Sequence, residues 1–260
     1  MVILTAPYGQ TSNRLFQHIH LDSFCRDNGI KFYNKFLWNL YQDYPNLKAQ
    51  SDNKLVNYFL KGITKLPLRT VSFDNYQQHE YYKSLILKSK ILFCDGWVFS
   101  HETTLKYRSI YQELFNPAIE KSNLETLWLN KTNDNEKIVG VHIRRGDYKT
   151  YADGIYFFED DVYIDKMKQM ELSLNQNCKF IIFSNDDQLD FSKYTKLFKN
   201  ILISNNSVVT DHYLMSKCDY IIGPPSTFSI WASYIGETLL YHFLNKEDII
   251  TLDRFTIHCG

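Results

Sequence analysis

At 260 residues, 44% of them hydrophobic, the chain is long enough for one large domain or two smaller ones with separate cores. Its 29 basic and 29 acidic residues cancel, so no net field recruits nucleic acid or an anionic membrane, and an anionic ligand must be held by locally clustered cations. Apolar runs fall far short of the roughly 20 residues that cross a bilayer, the start Met1-Val2-Ile3-Leu4 lacks the basic segment of a secretion signal, and the five scattered cysteines include no CxxC pair, which together exclude a membrane-spanning or disulfide-stapled protein and point to a reducing cytoplasm. In chain order, residues 2–6 read as a strand, a loop follows through Gly9 and Ser12, and 13–28 form a helix, the opening of a Rossmann-like unit. Residues 33–44 are aromatic-rich and irregular, 59–65 lie near a break at Pro67, and 91–95 make a short strand. The polar stretch 130–136 is the linker candidate; it divides the chain into an N-terminal domain, 1–133, and a C-terminal domain, 134–260, whose last residues are free to pack back on the first. After it, strands at 137–143, 179–184, 201–204, 219–223 and 238–243 alternate with helices at 161–175, 211–217 and 226–234, the last ended near Gly236. Such alternation predicts an α/β fold, and five such strands make a complete nucleotide-binding half.

Four segments carry chemistry. Val141-His142-Ile143-Arg144-Arg145-Gly146-Asp147-Tyr148 directly follows an apolar strand, and in an open parallel sheet ligands lie beyond the carboxyl ends of the strands. A guanidinium there can grip a diphosphate bidentately and stabilise the charge that grows on it as it leaves. The plainer reading is an arginine pair bonded to Asp147 and nearby carbonyls. Pro224-Pro225-Ser226-Thr227-Phe228-Ser229 lies between a strand and a helix, where Ser226 or Thr227 caps a helix start that offers free N–H groups to a phosphate; capping alone would also account for these residues.

Asp211, just ahead of Leu214-Met215-Ser216-Lys217-Cys218, could accept hydrogen bonds from the N1–H and exocyclic amine of guanine, or could simply cap a helix. Asn185, Asp186 and Asp187 follow the strand that ends at Ser184 and either line a nucleotide pocket or begin the next helix. Finally, Gly9-Gln10-Thr11-Ser12-Asn13-Arg14-Leu15-Phe16-Gln17 is a small-residue loop that lets backbone approach a phosphate or sugar, with a cap at the asparagine as the alternative. No DxD pattern is present to hold a metal against a diphosphate, and Glu159-Asp160-Asp161 reads as a solvated helix entrance. The GxSxG elbow and the P-loop are also missing, which disfavours hydrolase and kinase readings.

Taken together, GxxxNxLFQ at 9–17, HIRRGDY at 142–148, SNDD at 184–187 and DxxLMSxCDYIIGPPSTFSIWASY from Asp211 resemble, in order, the bacterial alpha-1,2-fucosyltransferases. The likeness spans both ends of the chain and thins between about 29 and 136. It implies two Rossmann-like domains facing a cleft (GT-B-like), the C-terminal one binding the nucleotide sugar. It further implies metal-independent, inverting transfer of fucose from GDP-fucose, with no cofactor, to the 2-OH of a galactoside in a glycan acceptor.

Carried over residue by residue, the resemblance has Arg144 bind the diphosphate, with Arg145 beside it, His142 contact the nucleotide, and Asp147 brace the motif. Asp211 would read guanine, and Ser226, Thr227 and Phe228 would meet the β-phosphate; Asp187, by its place after the strand, is counted with the nucleotide pocket. Asn13 and Arg14, on the N-terminal loop, would meet the sugar or phosphate from across the cleft, and Ser12 of the same small-residue loop is counted with the donor-binding residues. The family's GRLGNQLFQ is here GQTSNRLFQ, and Pro225 replaces a small residue or asparagine, departures that bear on the donor sugar more than on its nucleotide. A general base is open among Asp147, Asp153 and Glu159. Transfer of another GDP-linked sugar, and a non-catalytic nucleotide- or glycan-binding protein, are the competing readings. Because acceptors of such enzymes are often lipid-linked, peripheral association with the inner membrane stays open.

Overall fold

The structure, a computed structural model, describes residues 1–51, 62, 69–133 and 135–259; the expected break beside Pro67, with the segment 59–65, lies outside them. Two compact units divide it, the first Met1–Ala118 together with the chain end at Cys259, the second Ile119–His258.

In the first unit the aliphatic runs form four parallel strands, β1 (Val2–Leu4), β2 (Phe32–Tyr33), β3 (Val71–Phe73) and β4 (Leu92–Gly96), in the order β2-β1-β4-β3. Helices α1 (Thr11–Asp27), α2 (Pro45–Ser51), α3 (His79–Lys88), α4 (His101–Lys106) and α5 (Arg108–Leu114) belong to this unit. Val2 and Leu4 pack with Leu21, Phe24, Tyr82, Ile86 and Cys94 in one core. Helix α1 begins two residues ahead of the expected Asn13, because Gln10, in extended conformation, already serves as its N-cap.

The second unit holds helix α6 (Lys121–Trp128), then β5 (Lys137–Ile143), α7 (Asp160–Leu174), β6 (Cys178–Ser184), α8 (Ser192–Thr195), β7 (Ile201–Ile203), α9 (Val208–Ser216), β8 (Tyr220–Gly223), α10 (Thr227–Gly236) and β9 (Leu239–His242). Its five strands are parallel and ordered β7-β6-β5-β8-β9. This is the doubly wound arrangement, in which the direction of winding reverses between β5 and β8. Period-two alternation assigns the faces: Val139, Val141 and Ile143 pack with Tyr163, Met167 and Met170 of α7, whereas Ile138 packs with Leu214 and Met215 of α9 and Ala232 of α10. Both faces are buried, as the near-continuous apolar sequence of β5 requires.

The division at Ala118/Ile119 falls well ahead of the expected 133/134. Helix α6, which the sequence reading did not assign, packs the partly buried Leu124 and Trp128 against the α9 and α10 side of the second sheet, and Tyr213 donates a hydrogen bond to Glu125. The expected linker is itself tied to that sheet: Lys131 pairs with Asp219 at 2.9 Å, and Lys179 Nζ donates to Asn130 O at 2.8 Å. Polarity marked a solvent-facing segment there, not a boundary.

Candidate functional site

The winding reversal between β5 and β8 fixes where the second unit can bind a ligand, namely beyond the carboxyl ends of these strands. Residues 144–148 leave β5 there, and 224–228 leave β8. The two segments are held against one another. A Cβ on Gly223 would lie 2.7 Å from His142 O, so only glycine permits this approach, and the Tyr148 hydroxyl donates to Pro225 O.

Arg144 lies over the Tyr148 ring, 5.4 Å from its centroid, and donates to Asp147 through Nη2 at 3.0 Å. Its Nε is buried without a hydrogen-bond partner. An unmade bond on a buried donor costs roughly 1–3 kcal/mol, which an anion placed there would recover. Close by, Ser226 is the N-cap of α10 and accepts from Phe228 N at 3.3 Å, so Thr227 opens a helix whose first turn carries partial positive charge. Ser226, Thr227 and Phe228 are all half-buried.

Arg145, expected beside Arg144 at the donor, is turned into the second unit. It is 7% exposed, and its donors are spent inside the unit: Nε on Phe158 O at 3.1 Å, Nη2 on Asp160, Nη1 on Asp186 at 3.5 Å. Asp160 also receives Lys193 Nζ at 2.6 Å and Tyr194 Oη at 3.0 Å, so the Glu159-Asp160-Asp161 stretch contains a buried anchor rather than a wholly solvated entrance. Asn185 accepts from Arg145 N at 2.9 Å, which makes it a brace of the arginine loop. Gly146, at φ +28°, packs so closely on Asn185 that a Cβ would come within 2.6 Å of its Nδ2.

His142 is 3% exposed and stacks on Phe228, with centroids 5.0 Å apart, while His212 approaches the same ring at 4.2 Å. Burial, reinforced by Arg144, His242 and His212, holds the His142 pKa well below the ordinary range, and burial alone lowers that of His212 to about 3. Neutral imidazoles thus pack the start of α10. Ser229, fully buried in that helix's first turn, bonds His242 Nε2 at 2.9 Å, and burial with nearby His258 lowers the His242 pKa to about 3.

Asp211 sits in the first turn of α9, whose cap is Ser207 through a bond from Thr210 N at 3.3 Å. Capping therefore does not account for Asp211. Its carboxyl accepts from Ser204 at the end of β7. Burial pushes its pKa up to about 6, against the opposing hydrogen bonds of Ser204 and Asn206. Asp187 is exposed in the loop after β6. Asp153 stands at φ +57° in the turn after the arginine loop, and Glu159 is the exposed N-cap of α7.

The remaining predicted residues belong to the first unit. Gly9, at φ +56°, lets Asn13 fold over it, since a Cβ would meet Asn13 Nδ2 at 2.3 Å, and Arg14 Nε donates to Gly9 O at 3.1 Å. Ser12 is buried, at 6% exposure. Gln17 pins the loop by donating to Gly96 O at 2.9 Å and accepting from Tyr8 N at 3.2 Å. Tyr148, Asp160 and His212 were not foreseen as supports of the site; in sequence Tyr148 reads only as the end of the arginine motif, and the other two carry no local signal. Among the described residues no group of three or more His, Cys, Asp or Glu side chains could hold a metal ion, and no helix is long and apolar enough to cross a membrane.

An arginine and a helix opening at the switch point of a doubly wound sheet, with a second Rossmann-like unit preceding it, have the form of a GT-B-like glycosyltransferase. Residues 41–247 match glycosyl transferase family 11, and the chain belongs to that family. An alpha-1,2-colitosyltransferase of Escherichia coli is 24% identical over 90% of this chain and 87% of its own length. The galactoside alpha-(1,2)-fucosyltransferase 2 of Rattus norvegicus is 29% identical over 39% of this chain and 31% of its own. The structure of NodZ alpha-1,6-fucosyltransferase soaked with GDP-fucose superposes with a TM-score of 0.58 at 15% identity, covering 93% of this chain and 94% of that one.

Proposed function

We propose that the protein transfers a 6-deoxy sugar from its GDP ester to the 2-hydroxyl of a galactoside in a glycan acceptor, with inversion and without a metal or cofactor. Fucose is the first choice of sugar. Colitose, which lacks the 3-hydroxyl of fucose, is the second, and the relative matched along most of the chain favours keeping it. The observation that carries the reading is the junction of Arg144 and the Ser226-capped start of α10 through Tyr148 and Pro225, a pairing suited to a leaving diphosphate. The bond from C1 to the β-phosphate oxygen breaks as the acceptor oxygen attacks from the opposite face; the sugar goes to the acceptor, the hydroxyl proton to a base, and GDP departs. Asp211 accepts the N1–H and amine of guanine, a pattern that uracil cannot supply.

A panel of GDP-fucose, GDP-colitose and GDP-mannose with lactose or an extended β-galactoside, followed by released GDP and by mass of the product, tests this. A product bearing one added deoxy sugar supports it, and the preferred donor names the sugar. GDP binding with no product from any donor and acceptor pair would favour the non-catalytic reading instead. A chelator such as EDTA should leave the rate unchanged.

A further inference from the structure

At the carboxyl edge of the second sheet, Gly223 of β8 is in register with His242 of β9, and the carbonyl of His142 lies close on its other side. Phe243 N donates to Gly223 O at 3.1 Å, which locks the end of β9 onto β8. His242 is half-buried there, and its side chain reaches the first turn of α10, where Nε2 lies 2.9 Å from the Ser229 hydroxyl. Ser229 is fully buried and donates back to Ser226 O at 3.0 Å. A serine has one proton to give. With that proton on Ser226 O, the bond to His242 is made by an Nε2–H, and this tautomer satisfies both contacts at once. Ser226 is thereby held twice: its Oγ accepts from Phe228 N at 3.3 Å, and its carbonyl receives Ile230 N at 3.1 Å as well as the Ser229 hydroxyl. Behind His242 stands His258, with ring centroids 5.3 Å apart, and His258 N donates to Ser233 Oγ at 3.1 Å, one turn further along the same helix.

A buried serine in a helix meets its own need by bonding back to a carbonyl three or four residues earlier, so Ser229 does not require the histidine for that. The bond does something else: it ties the cap of α10 to a neighbouring strand. The stack of His142 on Phe228 is a face contact with little directional demand, whereas a hydrogen bond weakens steeply when its angle changes. The direction of the helix opening is therefore set from the β9 side. We propose that His242 and Ser229 are positioning residues for the leaving diphosphate: the imidazole orients the Ser229 hydroxyl, which fixes the Ser226 carbonyl and so aims the opening turn of α10 at the β-phosphate. The assignment rests on the reading of that helix opening as the diphosphate site.

Calorimetry of GDP and GMP, which share the guanosine and differ by the β-phosphate, is compared for the full chain and for His242→Phe, His242→Gln and Ser229→Ala. The wild type should prefer GDP. That preference should fall about tenfold in His242→Phe, which keeps a ring but no N–H, and in Ser229→Ala, with GMP affinity held within about twofold. His242→Gln, whose amide can reach the place of Nε2, should restore it. The losses in the double variant Ser229→Ala/His242→Phe should not add, because both substitutions cut one link. In transfer assays kcat should fall about ten- to a hundredfold in His242→Phe with the acceptor KM unchanged. Ser229→Ala cuts the link without adding bulk, so it carries the test should the phenylalanine variant misfold. A histidine that only supports the fold would weaken GDP and GMP alike or leave both unchanged; either result, a glutamine variant no better than phenylalanine, or losses that add would overturn the proposal. A wild type that binds GDP no better than GMP would overturn it as well. Failure of the transferase reading looks different: a GDP preference that the variants lose, but no sugar transferred from any donor.

Discussion

Arg144 and Arg145 are adjacent in the chain and opposite in fate. Arg144 keeps a buried, unpartnered Nε at the sheet edge, whereas Arg145 is consumed by Asp160, Asp186 and the Phe158 carbonyl. The charge of the pair was legible in the sequence, but its division was not, because Asp160 and Asn185 lie many residues away and reach Arg145 only through the winding of α7 and β6. Asp160→Ala strands the Arg145 guanidinium in a buried place, and breaking such a pair costs about 3–5 kcal/mol. Urea unfolding should register that loss, and a much smaller one for the exposed Asp161→Ala.

Asp211 gives a second prediction at this scale. Its folded pKa is raised to about 6, so it is ionised above that value and increasingly neutral below it, and only the ionised form accepts both guanine donors. GDP affinity should therefore fall as the pH drops from 7.5 to 5. In Asp211→Asn, affinity should be lower throughout and flatter over this range by calorimetry; an equal pH dependence in the variant would remove Asp211 from base recognition.

At the level of elements, alternation and turn chemistry predicted all five strands of the second unit to within a residue or two. The starts of helices were less legible: α9 begins at Val208 because Ser207, not Asp211, supplies the cap. Strands β2 and β3 passed unassigned because two or three residues carry too little periodicity to register. N-cap chemistry between a strand and a helix placed Ser226 or Thr227 at a helix opening, and the structure adds how that opening is fixed, through the stack of His142, Phe228 and His212 and the close approach at Gly223. Gly223→Ala would force a methyl group to 2.7 Å from His142 O, moving β8 away from β5 at the site. A destabilisation of about 1–3 kcal/mol is expected in thermal unfolding, with a larger proportional loss of turnover than of stability. His212→Phe, which keeps a flat neutral ring against Phe228, should retain turnover that His212→Ala loses.

Over the whole molecule, buried neutral histidines recur in both units. Burial is the main cause in each case: His20, helped by His101 and His79, falls to about 3, as do His212 and His242, and the pKa values of His18 and His142 are also lowered. A folded pKa below the unfolded 6.5 means that the unfolded chain binds more protons, so the stability these groups confer is full above pH 6.5 and is lost as pH falls toward 3. Each group steepens the decline by up to about 1.4 kcal/mol per pH unit. Urea midpoints at pH 7.5, 6.0 and 5.0 should fall progressively, with curvature beginning near 6.5. The α/β class and the two-unit plan were legible in the sequence, but the boundary was not, because the apolar face of α6 is recognisable as part of the second core only once the sheet it covers is known.

The central claim is that Arg144 and the start of α10 hold one departing diphosphate. Its most direct test is single-turnover transfer from GDP-fucose or GDP-colitose by Arg144→Ala, with circular dichroism and unfolding confirming the fold. Removal of a donor aimed at developing charge predicts a rate loss of about 10²–10³ with unfolding close to that of the wild type. An Arg144→Ala protein that turns over within a few fold of wild type would contradict the account.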